Sequence, residues 1–135
     1  GPRPKTMTEA GKKTVILAVD DTPENLDVVK GVLGGDYLIK AAINGIIALK
    51  IAEKAPPDLI LLDIQMPGMD GFEVMSRLQA METTCRIPVI FLTGESDNEI
   101  RQRALGMGAR GFVTKPIDSD ALRQTVSTAL LARND

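Results

Sequence analysis

The residues of this chain best suited to chemistry are three carboxylates, one hydroxyl and one ammonium, and each follows a short apolar run. Asp20 and Asp21 follow Thr14-Val15-Ile16-Leu17-Ala18-Val19, and Asp63 follows Asp58-Leu59-Ile60-Leu61-Leu62. Thr93 follows Pro88-Val89-Ile90-Phe91-Leu92, and Lys115 follows Gly111-Phe112-Val113-Thr114. Clustered carboxylates repel one another, which raises their pKa values unless a cation intervenes. An all-oxygen acidic set without His or Cys suits a hard cation such as Mg²⁺, which takes one or two carboxylates together with waters and phosphate oxygens. Lys115 and Thr93 then offer a positive charge and a hydroxyl to an incoming anion. One carboxylate can attack a phosphoryl group to give an aspartyl phosphate, a transfer that needs mostly positioning and charge neutralisation. Taken singly, each residue has a plainer reading: an acid pair is usually a turn or cap, and Asp63 could bond its own loop. Their conjunction on four strand ends favours chemistry.

That conjunction depends on the elements. Apolar runs without polar alternation read as strands buried on both faces. Thr22-Pro23-Glu24 reads as a helix start, with Thr as N-cap, Pro at the first position and acid near the positive end of the dipole. Leu26, Val29 and Leu33 share a face of that helix, and Gly34-Gly35 stops it. Residues 37–43 form a strand candidate, Asn44-Gly45 a turn, and residues 47–54 a helix ending before Pro56-Pro57. The Pro/Gly loop 66–71 leads into a helix through Gln79. Ser96-Asp97 can cap a helix running to about Met107, and Asp118 or Ser119 caps a last helix with the stripe Leu122, Val126, Ala129 and Leu130. Five strands alternating with five helices predict an α/β fold with one doubly wound parallel sheet over residues 14–132. Right-handed crossovers point every strand the same way, so the carboxyl ends share one edge, where open α/β sheets bind ligands. Residues 1–13, rich in Pro, Lys and Thr, read as a loose arm or a cloning remnant, and 133–135 as a short tail.

Composition narrows the function. The 135 residues suit one domain, with 44% hydrophobic and 25% charged residues. A net charge of −2 leaves no positive excess to grip a phosphate backbone, which disfavours direct nucleic-acid binding. The absence of His removes His-based acid–base catalysis, His metal ligands and the phosphoacceptor of a sensor kinase. The single Cys85 excludes an internal disulfide and a Cys-rich zinc site, and reads as an inert thiol. No apolar run approaches the ~20 residues of a membrane helix, and no signal peptide is evident, so the expected location is cytoplasmic.

Val19-Asp20-Asp21, the segment Leu61-Leu62-Asp63-Ile64-Gln65-Met66-Pro67-Gly68-Met69-Asp70-Gly71, Phe91-Leu92-Thr93-Gly94 and Val113-Thr114-Lys115-Pro116 resemble the signature of two-component response-regulator receiver domains. The resemblance spans roughly residues 14–132. It implies a flavodoxin-like sheet of order 2-1-3-4-5 and a phosphorylation switch rather than an enzyme acting on outside substrates. It makes Asp63 the phosphoacceptor. Asp20, Asp21, Asp63 and the backbone carbonyl of Gln65 become the Mg²⁺ ligands. Lys115 becomes the contact to the phosphoryl group, joined to Pro116 by a cis bond. Thr93 and Phe112 become the switch pair, and Gln65 and Glu95 tune dephosphorylation. The implied partners are a sensor histidine kinase or histidine phosphotransfer protein and an output domain or downstream protein. The charges Arg101, Arg103 and Arg110 with Asp118 and Asp120 offer a homodimer through the fourth helix, last strand and last helix, or docking of a partner, although a solvated surface has the same composition. The opening Asp20-Asp21-Thr22-Pro23-Glu24-Asn25 resembles receivers joined to cyclic-dinucleotide enzymes or embedded in hybrid kinases.

Three positions depart from the commonest family pattern. Phe112 stands where Tyr is frequent, Gly94 where Ala is common, and Ile46-Ile47 where many receivers carry acids, leaving an apolar pair at the start of the second helix. Two rivals stay in view. A pseudo-receiver docks partners without phosphorylation but usually lacks one of the five site residues. A flavodoxin-type cofactor binder wants a neutral loop after the first strand, where this chain has Asp20-Asp21-Thr22-Pro23-Glu24.

Overall fold

In the computed structural model, which describes residues 11–94 and 98–132, the apolar runs lie side by side as strands. The elements are β1 (Val15–Val19), α1 (Pro23–Leu33), β2 (Leu38–Ala42), α2 (Gly45–Lys54), β3 (Leu59–Asp63), α3 (Gly71–Gln79), β4 (Val89–Thr93), α4 (Asn98–Gly106), β5 (Gly111–Thr114) and α5 (Ser119–Ala132). All pairings are parallel and the order is β2-β1-β3-β4-β5. Register sets the strand ends level: Val19 pairs with Ala42 and with Leu62, Asp63 with Leu92, and Thr93 with Thr114. One step beyond that line lie Asp20 and Lys115.

β3 and β4 are buried at every position, as continuous apolar runs between two helical layers must be. Because successive strand residues point to opposite faces, the sheet divides the interior into two cores. On one side Ile16, Ala18, Leu61 and Leu92 meet α1 and α5. The buried residues of these helices, Leu26, Val29 and Leu33 in one and Leu122, Val126, Ala129 and Leu130 in the other, are the predicted stripes. Tyr37 belongs to the same core and is 4% exposed. On the other side Leu17, Val19, Leu62 and Phe91 meet α2, α3 and α4. The helices are held unequally. α3 buries Gly71, Phe72, Val74, Met75 and Leu78, whereas α4 buries Ala104.

Several boundaries differ from the sequence reading. Asn44-Gly45 is not a separate turn: Asn44 is the N-cap of α2, its Oδ1 accepting from Ile47 N at 2.8 Å, so the helix starts at Gly45. An Asn-Gly pair suits a cap as well as a turn. Gly45 is needed there because a Cβ would lie 2.7 Å from Val74 Cγ2 and 2.9 Å from Met69 Sδ. β2 ends at Ala42, leaving Ile43 exposed beside Ile46 and Ile47. Thr22 occupies the N-cap of α1, but its side chain makes no cap bond. Asp118, not Ser119, caps α5, accepting from Ala121 N at 2.8 Å. The Ser96-Asp97 cap assigned to α4 lies outside the described residues. The Lys115–Pro116 bond is cis, and Cys85 is exposed. Among the described residues no helix is long and apolar enough to cross a membrane.

Candidate functional site

Asp20 ends β1 and begins α1. Its backbone N donates to Ala42 O at 3.1 Å, and its Oδ1 accepts from Thr22 N at 2.9 Å, closing a turn that starts the helix. The residue is fully buried. Its Oδ2 makes no hydrogen bond. The nearby Lys115 Nζ, at 2.9 Å, is a charge contact. Asp63 is the last residue of β3, is 2% exposed, and places Oδ1 3.0 Å from the same ammonium. Lys115 leaves β5 with its N donating to Thr93 O at 2.9 Å. Since β4 lies between β3 and β5, the lysine stem crosses the end of β4 to bridge carboxylates from β1 and β3. Asp21 is exposed and completes the group: one carboxylate oxygen from each of Asp20, Asp21 and Asp63 lies within 4.8 Å of the others.

Electrostatics follow from this crowding. The Asp63 carboxyl is pushed up to about 6, first by burial and then by the Asp20 charge and contact with the Asp21 carboxyl. The hydrogen bond and charge of Lys115 pull the other way and lose. Burial works against the Lys115 ammonium, but its two carboxylate neighbours outweigh burial and raise its pKa. Three carboxylates against one ammonium leave an excess of two negative charges when all are ionised. That excess and the all-oxygen donor set fit a hard divalent cation.

The other expected residues divide. Thr93 ends β4 and is fully buried, next to the path of Lys115. Gln65 is exposed in the loop after β3. Phe112 is not at the carboxylates: it is half-buried on β5, in register with Phe91 and facing the core of α2, α3 and α4. Glu95 lies outside the described residues. Sequence reasoning missed Gly71. Its N donates to Ile64 O at 2.8 Å, and a Cβ there would stand 2.4 Å from Asp63 O and 2.8 Å from Ile64 Cα. With Asp70 capping α3 through Glu73 N at 2.9 Å, that close approach seats the helix against the end of β3. The Asp70-Gly71 pair before an apolar stretch was the available signal.

A family model described as the response regulator receiver domain matches residues 16–127. The chain belongs to that family. The receiver is 44% identical over 115 residues to a probable cyclic di-GMP phosphodiesterase of Vibrio cholerae, covering 85% of this chain and 26% of that protein. It is 42% identical over 104 residues to the response regulator PleD of Caulobacter vibrioides, covering 76% and 23%. The receiver thus spans about a quarter of the length of these relatives. Among solved structures, the chemotaxis protein CheY4 of Vibrio cholerae superposes with a TM-score of 0.82 at 32% identity, covering 87% of this chain and 98% of that one.

Proposed function

We propose that this receiver takes a phosphoryl group from a phosphohistidine onto Asp63, with Mg²⁺ held by Asp20, Asp21, Asp63 and the Gln65 backbone carbonyl. The observation that carries the reading is the single ammonium of Lys115 set against buried carboxylates of two strands. A nearby cation favours the ionised, nucleophilic form of a carboxyl that burial and two other acids have raised to about 6. Bound there, Mg²⁺ would neutralise the carboxylates and the phosphoryl oxygens. An Asp63 oxygen forms the new O–P bond as the P–N bond of the donor breaks, and the released imidazole takes up a proton. Lys115 compensates charge on the phosphoryl group, and the Thr93 hydroxyl donates to one of its oxygens once it has arrived. Gln65 and Glu95 set how readily water reaches the product.

Residues 14–132 act as the receiver unit, in the cytoplasm, and pass the signal to an output domain or downstream protein. Arg101, over Phe112 of β5, and Asp118 and Asp120, at the start of α5, belong to the face of α4, β5 and α5, whereas Arg103 turns to Phe72 of α3. Those opposite charges suit partner docking or self-pairing. The complete five-residue site argues against a pseudo-receiver. Incubation with a small phosphodonor and Mg²⁺, followed by intact mass measurement, should show one phosphate-sized gain. The gain should vanish in Asp63→Asn and in excess chelator. Labelling that persists in Asp63→Asn would overturn the assignment.

A further inference from the structure

All three phenylalanines of the chain form one row, and one helix holds both ends of it. The Phe72 and Phe91 ring centroids are 5.4 Å apart with the planes tilted by 58°. Phe91 and Phe112 are register partners on adjacent strands, so their side chains leave the same face of the sheet. Arg103 Cζ lies 4.1 Å from the Phe72 centroid, and Arg101 Cζ lies 5.9 Å from that of Phe112. Two residues apart, these arginines project about 200° from one another around α4. They therefore reach to opposite sides of Ile100 and Ala104, which pack on the same core.

The helix needs such contacts, because Ala104 is the residue it buries and Leu105 is half exposed. The two guanidiniums are not equivalent. Arg103 sits close over a ring that is 6% exposed, in the first turn of α3 and just past Gly71. Arg101 stands near the outer limit for a cation over a ring, above the half-buried Phe112, and its Nε is buried without a hydrogen bond.

We propose that Arg101 and Arg103 are positioning residues that fasten α4 to the phenylalanine row, Arg103 as the fixed pivot and Arg101 as the contact released on switching. The inference rests on the reading that Asp63 is phosphorylated and that Phe112 moves in response. When the Phe112 ring turns inward, Arg101 loses its face while Arg103 keeps its own, so α4 rotates about its Arg103 side without leaving the sheet. A contact made only in the resting state holds back the switch, whereas one made in both states does not bias it.

The test titrates Mg²⁺ and beryllium fluoride, a phosphoryl mimic, into wild type, Arg101→Met and Arg103→Met, following backbone amide shifts of Thr93 and Gly94. Arg101→Met should lower the half-saturating mimic concentration about 2- to 5-fold, the range of a partly exposed cation–π contact. Arg101→Lys, which keeps a cation over the ring, should return most of the way to wild type. Arg103→Met should leave half-saturation unchanged but speed amide hydrogen exchange across residues 98–106 with and without the mimic. Equal effects of the two Met variants on half-saturation, or none from Arg101→Met, would overturn the pivot. A wild-type protein whose residues around Asp63 ignore the mimic would instead overturn the phosphoacceptor reading, and the pivot with it.

Discussion

The Asp63 carboxyl, held near 6 mainly by burial, ties acid–base equilibrium to folding. A carboxyl whose folded value exceeds its unfolded one binds its proton more tightly when folded. Its contribution is fully present below the ordinary value of 3.8 and is lost as pH rises through about 6. That gap corresponds to about 3 kcal/mol. In chelator, urea midpoints of the wild type should therefore fall between about pH 4 and pH 7 relative to Asp63→Asn. At pH 7 the Asn variant should be the more stable of the two. Parallel pH curves for the two proteins would refute this. At this scale the sequence was informative about which residues gather, because apolar runs fix where strands end. It was silent on how they pair. That Lys115 bridges Asp20 and Asp63, and that the turn before α1 is closed by Asp20 Oδ1 accepting from Thr22 N while the Thr22 hydroxyl makes no cap bond, depends on side-chain distances that no spacing encodes.

Among the elements, the first turn of α3 is the most tightly seated at the site. An alanine at Gly71 would push its Cβ into the backbone of Asp63 and Ile64, and backbone cannot step aside as a side-chain tip does. Gly71→Ala should cost about 2–3 kcal/mol as overpacking and should weaken Mg²⁺ binding by displacing Asp63. The control is Gly31→Ala in α1, where a Cβ meets nothing within 4 Å. There the helix should gain about 0.5–1 kcal/mol. Urea unfolding of the two variants would separate a packing effect from a general response to losing glycine. Helices with an apolar stripe were legible to the residue, as α1 and α5 show. The attachment of α4 was not, since guanidinium faces on rings leave no apolar period to read.

For the molecule as a whole, one sheet separates two cores, and the carboxylates sit on the carboxyl edge where both helical layers end. This plan was readable from alternating apolar runs alone, while the order of the strands came from the family resemblance. The position of Tyr37 has an optical consequence. It is the only Tyr in a chain without Trp, and it sits just before the amino end of β2, away from the carboxyl edge, in the core of α1 and α5. Burial, followed by the neighbouring Asp36 charge, raises its phenol pKa, so the ring stays protonated beyond the usual alkaline limit. Ultraviolet emission from this protein therefore reports one spot in the core opposite the phenylalanine row. Urea should change that emission strongly, and saturating Mg²⁺ with beryllium fluoride should leave it flat. A large emission change with the mimic would mean that switching reaches across the sheet into the second core. If the signal stays flat, the switch is dark to intrinsic fluorescence, and an indole introduced by Phe112→Trp would light it.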